Sequence, residues 1–243
     1  MKATIEKPQV LLSVCKFLKN FDVEAEFSFL KTKIEVFIPD KSNVTMAKIT
    51  IPISIATKYE ANGEKLNINV DDFVKVLSTI KEKNSCEIEN TEALLKIKIR
   101  DLLTFSNYEI PLMEKESKLS GMEWKDLEYD TSFLVPPKEF IEILDNLTKF
   151  DTNSIHFDAK GEKLTVTTES DKNRKCKSEL KIESKKDSLG RYSPKFVKYI
   201  SEIAKNSETM QLNFSTDYPI CIVCDKKNEF RVQQIVAPRV DND

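Results

Sequence analysis

The chain has 243 residues, 40% hydrophobic and 32% charged, with a formal net charge of -2. That is room for one large domain or two of ordinary size, and the balance of apolar and charged residues excludes a disordered chain. No run approaches the length of a membrane span, and Met1 and Lys2 lead straight into a strand-like Ala3-Thr4-Ile5, so neither a transmembrane helix nor a signal peptide is expected.

In chain order, residues 1–6 predict a strand, and Pro8 opens an amphipathic helix running to about residue 21. Alternating segments at 23–30, 34–38 and 44–53 then predict hairpin-rich sheet, broken by polar turns at 31–33 and 40–43. A short segment at 55–59 leads to a strand at 66–70, and Asp71 is placed to cap a second helix reaching residue 83. Three more strands are expected at 86–88, 94–99 and 103–112, the last containing Pro111, which suits an edge strand or a strand end.

Residues 113–129 change character, mixing eight charges with isolated Leu119, Met122, Trp124 and Leu127, and read as a linker. The first plan then returns: a strand at 132–135, Pro136 and Pro137, a third helix, strands at 154–158, 164–169 and 175–182, a fourth helix at 193–205, and strands at 210–214, 220–223 and 230–236. Ser193 suits the N-cap of that helix and Pro194 its first turn. The division expected is therefore 1–112, linker 113–129, and 130–243.

The four helices share one apolar template at offsets 0, 1, 3, 4 and 7, the spacing of a single helix face. It reads Leu11, Leu12, Val14, Cys15, Leu18; Phe73, Val74, Val76, Leu77, Ile80; Phe140, Ile141, Ile143, Leu144, Leu147; and Phe196, Val197, Tyr199, Ile200, Ile203. The steps between copies are 62, 67 and 56 residues, which points to an internal repeat.

Routes to catalysis are few. Four glycines, Gly63, Gly121, Gly161 and Gly190, allow no phosphate-cradling loop and no nucleophile elbow. His156 is the one histidine, and five cysteines at 15, 86, 176, 221 and 224 follow no disulfide spacing, so they read as reduced thiols. Cys221 and Cys224 form a C-x-x-C inside a strand-like run, where buried thiols fit better than a zinc site. No metal, cofactor or catalytic residue is assigned; Glu139, Glu142 and Asp145 are a carboxylate group that also fits a solvated helix face.

With the template faces packed on sheet, the opposite helix faces point outward. Residues 8–21 carry Lys16 and Lys19 without an acid; residues 71–83 set Lys75, Lys81 and Lys83 against Asp71, Asp72 and Glu82. The third helix is acidic by one charge, and the fourth sets Lys195, Lys198 and Lys205 against Glu202. Such a set is either a solvated surface or a source of phosphate contacts, and lysines alone give non-specific affinity of order 10⁻⁴ to 10⁻⁶ M. Residues 175–182 carry Cys176, Ser178, Leu180 and Ile182 on one face and Lys175, Lys177, Glu179 and Lys181 on the other. That pattern fits a guarded edge strand or any half-solvated strand.

Five segments carry a family resemblance: PDKSNV at 39–44, NINVDDFVKVL at 67–77, SNYEIPLM at 106–113, GRYSPKFVKYI at 190–200 and IVAPRV at 235–240. With them the chain resembles, over essentially its whole length, the sliding clamps of the proliferating cell nuclear antigen family, in a form closer to archaeal members. The resemblance implies an α+β fold of two similar βαβββαβββ domains, with helices on one face of continuous antiparallel sheets. It implies a non-enzymatic DNA polymerase processivity factor, a trimeric ring threaded by double-stranded DNA, either a homo-trimer or a hetero-trimer of paralogues. Partners implied are DNA polymerase, flap endonuclease, DNA ligase and a clamp loader; the location implied is the archaeal cytoplasm, on the nucleoid, or a eukaryotic nucleus.

Matching positions put Lys16, Lys19, Lys75, Lys81, Lys198 and Lys205 toward DNA. Subunits would pair through the strand of Tyr108 and Ile110 and the strand of Cys176, Ser178 and Leu180. Partner peptides would dock on Pro39, Val44, Leu119, Met122, Ile235, Val236, Ala237 and Pro238. The acidic third helix and Trp124 depart from the family pattern. Inside the fold the alternative is a checkpoint clamp subunit or a clamp-like viral transcription factor; outside it, a carboxylate enzyme.

Overall fold

The computed structural model describes residues 1–81, 84–101, 103–114, 124–149, 152–169, 175–183 and 186–239. The chain forms two compact units: Met1–Lys41, Ala47–Trp124 and Lys226–Val232 make the first, and Ser42–Met46, Lys125–Asp225 and Gln233–Asp243 the second.

In the order of the first half, the elements are β1 (Lys2–Ile5), α1 (Pro8–Leu18), β2 (Glu24–Phe29), β3 (Lys33–Pro39), β4 (Thr45–Pro52), a 3₁₀ turn (Ile53–Ile55), β5 (Ala56–Glu60), β6 (Glu64–Asn69), α2 (Val70–Leu77), β7 (Cys86–Asn90), β8 (Leu94–Arg100) and β9 (Phe105–Pro111). One sheet runs β5-β1-β7-β8-β9, and a second run of strands goes β4-β3-β2-β6. Strand β2 alternates strictly: Ala25, Phe27 and Phe29 are buried while Glu24, Glu26 and Ser28 look out. Against those inner faces α1 and α2 lie side by side. Leu11, Leu12, Val14, Cys15 and Leu18 are buried, and Phe73 meets Phe27 edge-on at 6.0 Å.

The second half contributes β10 (Thr131–Val135), α3 (Pro137–Leu147), β11 (Ser154–Lys160), β12 (Lys163–Glu169), β13 (Lys175–Lys181), β14 (Ser188–Tyr192), α4 (Pro194–Val197), a 3₁₀ turn (Lys198–Ile200), α5 (Ser201–Ala204), β15 (Thr209–Phe214), β16 (Ile220–Lys226) and β17 (Phe230–Val236). Its strands run β10-β15-β16-β17 and β13-β12-β11-β14. Phe140, Phe157, Tyr192 and Phe214 form its aromatic core, with Phe157 within 6.2 Å of each of the other three rings. Omitting β5, the two units have the same order of strands and helices, which is the repeat announced by the four helix templates.

The structure adds detail to the expected plan. A strand not expected from the sequence, β14, lies between β13 and the fourth helix. Its SLGRY carries no clean alternation because Gly190 is there for close approach: a Cβ added at that position would stand 2.7 Å from ring carbons of Tyr192. The cap of α2 is Asn69, not Asp71; the Asn69 side chain accepts from the Asp72 N–H at 3.0 Å. With its cap two residues earlier than expected, the helix runs from Val70 to Leu77, short of residue 83, and Asp71 and Asp72 fall in a first turn where negative charge suits the helix dipole. Similarly, α1 ends at Leu18, with residues 19–21 in turns. Ser193 does sit at the N-cap of α4, but its side chain makes no capping bond.

Candidate nucleic-acid interface and partner surfaces

In each unit the template face of the helix pair is turned inward, so the lysines of the opposite face are exposed. Lys16, Lys19, Lys75 and Lys81 are exposed in the first unit, and Lys198 and Lys205 in the second. Lys83 lies outside the described residues.

These lysines have company that sequence reading missed. Lys19 Nζ lies 2.8 Å from Asp71 Oδ1, an ion pair that runs from the end of α1 to the first turn of α2. Lys75 donates to Asp72 Oδ1 at 2.8 Å, and that hydrogen bond, with the Asp72 charge, raises its pKa. Lys81 pairs with Asp101 in the β8–β9 loop. In the second unit Lys198 lies 3.2 Å from Asp145 of α3 and donates to Thr148 Oγ1 at 3.0 Å, and Lys205 donates to Glu202 at 2.9 Å. The Asp72–Lys75 and Glu202–Lys205 pairs are three residues apart and could have been read from helix spacing. The other three join separate elements and had no local signal. Among the described residues Lys16 has no ion-pair partner.

Glu139 and Glu142 stand exposed on α3, and Asp145 is taken by Lys198. Among the described residues there is no His, Cys, Asp or Glu cluster of three that would hold a metal. Cys221 and Cys224 are both buried in β16, and burial pushes the Cys224 thiol up to about 12. Cys86 likewise rises to about 12 by burial, helped by the charge of Glu6.

Two sheet ends matter next. Strand β9 closes one end of its sheet, with Ile110 buried, Tyr108 half-buried and Phe105 56% exposed. Strand β13 closes an end of the other, with Cys176, Ser178 and Leu180 half-buried between exposed Lys175, Lys177, Glu179 and Lys181. Lys163 and Lys177 donate to Glu179 from 2.6 and 2.7 Å and hold its carboxyl below the ordinary range. Among the described residues each strand is laddered on one side, β9 with β8 and β13 with β12, which leaves the backbone of its other side open at a sheet end.

Of the expected peptide-docking residues, Val44 and Ala237 are joined by a backbone hydrogen bond of 2.9 Å, and Thr45 Oγ1 donates to the Ile235 carbonyl at 2.7 Å. Val44, Ala237 and Pro238 are half-buried, whereas Ile235 and Val236 are buried and support that surface from beneath. Pro39, half-buried, ends β3 in the first unit. Leu119 and Met122 lie outside the described residues. Trp124, which the sequence left without a role, meets Phe37 of β3 edge-on at 6.3 Å.

This architecture defines the class: it is the DNA clamp fold. The chain superposes on a subunit of the PCNA2–PCNA3 complex of Sulfolobus tokodaii with a TM-score of 0.88 at 23% identity, covering 99% of this chain and 100% of that one. It superposes on the proliferating cellular nuclear antigen of Entamoeba histolytica with a TM-score of 0.90 at 17% identity over 98% of both chains. In sequence it is 26% identical over 216 residues to the DNA polymerase sliding clamp of Nitrosopumilus maritimus, covering 84% of each. It is 25% identical over 230 residues to that of Pyrococcus horikoshii, covering 90% of each. No protein-family profile matches the chain. In both sequence and fold, the chain resembles the archaeal sliding clamps of the proliferating cell nuclear antigen family.

Proposed function

We propose that the chain is a subunit of a sliding clamp, a DNA polymerase processivity factor that encircles duplex DNA as a trimeric ring and has no catalytic activity of its own. The observation that carries this is the doubled unit: each half repeats one strand and helix order, buries its helix template and turns its lysines outward, and each half has one strand, β9 or β13, at a sheet end. Head-to-tail pairing of β9 on one subunit with β13 on the next, through Tyr108, Ile110, Cys176, Ser178 and Leu180, closes three chains into a ring. Lys16, Lys19, Lys75, Lys81, Lys198 and Lys205 then face phosphates without reading bases.

We read the domains as 1–112 and 130–243, joined by the linker at 113–129. Partner enzymes dock short peptides beside Val44, Ala237 and Pro238, partly by strand addition. A flap endonuclease is one such partner: a related clamp, that of A. fulgidus, is known with the C-terminal region of FEN-1 bound. The ring is built from three copies or from paralogous chains, as in the PCNA2–PCNA3 complex of a relative. Its location is that of the DNA it encircles, the cytoplasmic nucleoid of an archaeal cell or the nucleus of a eukaryotic one. No helix among the described residues is long and apolar enough to cross a membrane.

The test has two parts. Light scattering of the chain, alone and mixed with any paralogues, should show a trimer, and a monomer in every mixture would defeat the proposal. Loaded onto a nicked circular duplex, the trimer should stay bound at salt that strips it from the same DNA once linearised.

A further inference from the structure

Five of the six lysines assigned to DNA are held by carboxylates, and those carboxylates call for an explanation. Lys19, Lys75, Lys81, Lys198 and Lys205 pair with Asp71, Asp72, Asp101, Asp145 and Glu202 respectively. All ten side chains are at least partly exposed, and exposed ion pairs of this kind add little to stability. Fold maintenance is therefore a poor reason for them.

Their arrangement is the second observation. In the first unit the first helix gives the lysine and the second the acid, Lys19 to Asp71; in the second unit the roles are exchanged, Asp145 to Lys198. The first unit sets Lys16, Lys19, Lys75 and Lys81 against Asp71, Asp72 and Asp101. The second sets Lys138, Lys149, Lys195, Lys198 and Lys205 against Glu139, Glu142, Asp145 and Glu202. Charges differ position by position, yet each unit ends with one lysine in excess.

Resting on the clamp reading, we infer that Asp71, Asp72, Asp101, Asp145 and Glu202 are functional: they compete with DNA phosphates for the lysines and keep the ring's inner contact weak, so that it slides. A lysine with a carboxylate alongside has somewhere to return when a phosphate moves past. Each contact is then an exchange between two anions, and no position along the duplex becomes a deep trap. Counterion release depends on the net charge delivered to the backbone, so a paired lysine contributes little to it. Lys16, with no ion-pair partner among the described residues, stands apart as the member of the set that meets phosphate unopposed.

The experiment compares the assembled ring with a variant carrying Asp72→Asn, Asp145→Asn and Glu202→Gln, and with Lys16→Ala and Lys75→Ala singly. Thermal melts confirm folding of each, and Asp101→Asn serves in place of the triple variant if that loses its fold. Binding to a short linear duplex is measured against salt, and diffusion of loaded rings is followed on long DNA. Each freed lysine that reaches a phosphate should steepen the slope of log K against log salt by about 0.9, and the triple variant frees three in every subunit, so engagement of one subunit's set alone raises affinity by more than about tenfold for a fourfold drop in salt. Diffusion should slow. Lys16→Ala should flatten the slope by more than Lys75→Ala does. An unchanged slope and diffusion in the triple variant, or equal effects of the two lysine changes, overturns the inference while leaving the clamp reading intact. Failure of the unaltered ring to persist on circular DNA overturns both.

Discussion

The two units share a strand order and differ in how they finish their helices and edges. In the first, α2 is capped by a side chain, Asn69, and β1 is flanked by both β5 and β7; in the second, α4 starts at Ser193 without a side-chain cap, and β10 lies at a sheet end. The first unit ends in β9, whose outward residues Phe105, Asn107 and Glu109 carry one charge, while the second offers β13, where Lys175, Lys177, Glu179 and Lys181 are all charged. The inward rows, Tyr108 with Ile110 and Cys176 with Ser178 and Leu180, carry no charge in either. The difference teaches that the repeat preserves what is buried and leaves the outward positions free to diverge.

The largest effect expected from breaking this comparison is at the edges. Leu180→Asp places a charge in the apolar row of β13, and a trimer should dissociate to monomers in sedimentation while far-ultraviolet dichroism stays unchanged. Tyr108→Ala on β9 should weaken the same contact less, by the loss of one partly buried side chain.

Next comes the core of the second unit. Gly190→Ala drives a methyl into the ring of Tyr192, whose hydroxyl donates to the Tyr218 carbonyl at 2.8 Å, and should lower the stability by about 1 to 3 kcal/mol in urea unfolding. In the first unit Gly63→Ala meets no neighbouring atom and should cost stability by another route, because its φ of +94° is one that L side chains rarely adopt.

A smaller contrast separates the helix starts. Asn69→Ala removes the bond to the Asp72 N–H and should cost about 1 kcal/mol, whereas Ser193→Ala should change the urea midpoint little, since that side chain caps nothing. Equal costs would mean that the two helices begin alike.

The smallest effect is a pH dependence set by Glu64 in the first unit. Burial alone would raise the Glu64 carboxyl, but hydrogen bonds from the Asn62 N–H and from the chain's amino group, 3.0 Å away, outweigh it and hold the carboxyl below 4.5. A carboxyl lowered on folding stabilises above its ordinary value, and that contribution is lost as pH falls through the lowered one. Urea midpoints between pH 7 and pH 3 should therefore fall further for the unaltered chain than for Glu64→Gln.

Much of the fold was legible in the residues. The offsets of Leu11 to Leu18 or Phe140 to Leu147 are set by 3.6 residues per turn, and the alternation of β2 or β13 by the two-residue pleat, so both survive in the linear text. The lysines of the outer helix faces were legible for the same reason: a residue off the apolar stripe is exposed wherever the helix packs. Strand β14 was not, because Gly190 answers to Tyr192 folding back over it, and the start of α2 was displaced by a cap whose acceptor bond forms only in place.

By itself the sequence determined which faces are buried, that the plan occurs twice, and where the lysines stand. Only the tertiary structure decided what those lysines are worth: Lys19 and Asp71, Lys81 and Asp101, and Lys198 and Asp145 are far apart along the chain and meet because separate elements are packed side by side. Burial follows from local periodicity, but the charge a surface presents depends on distances between side chains that no local pattern encodes.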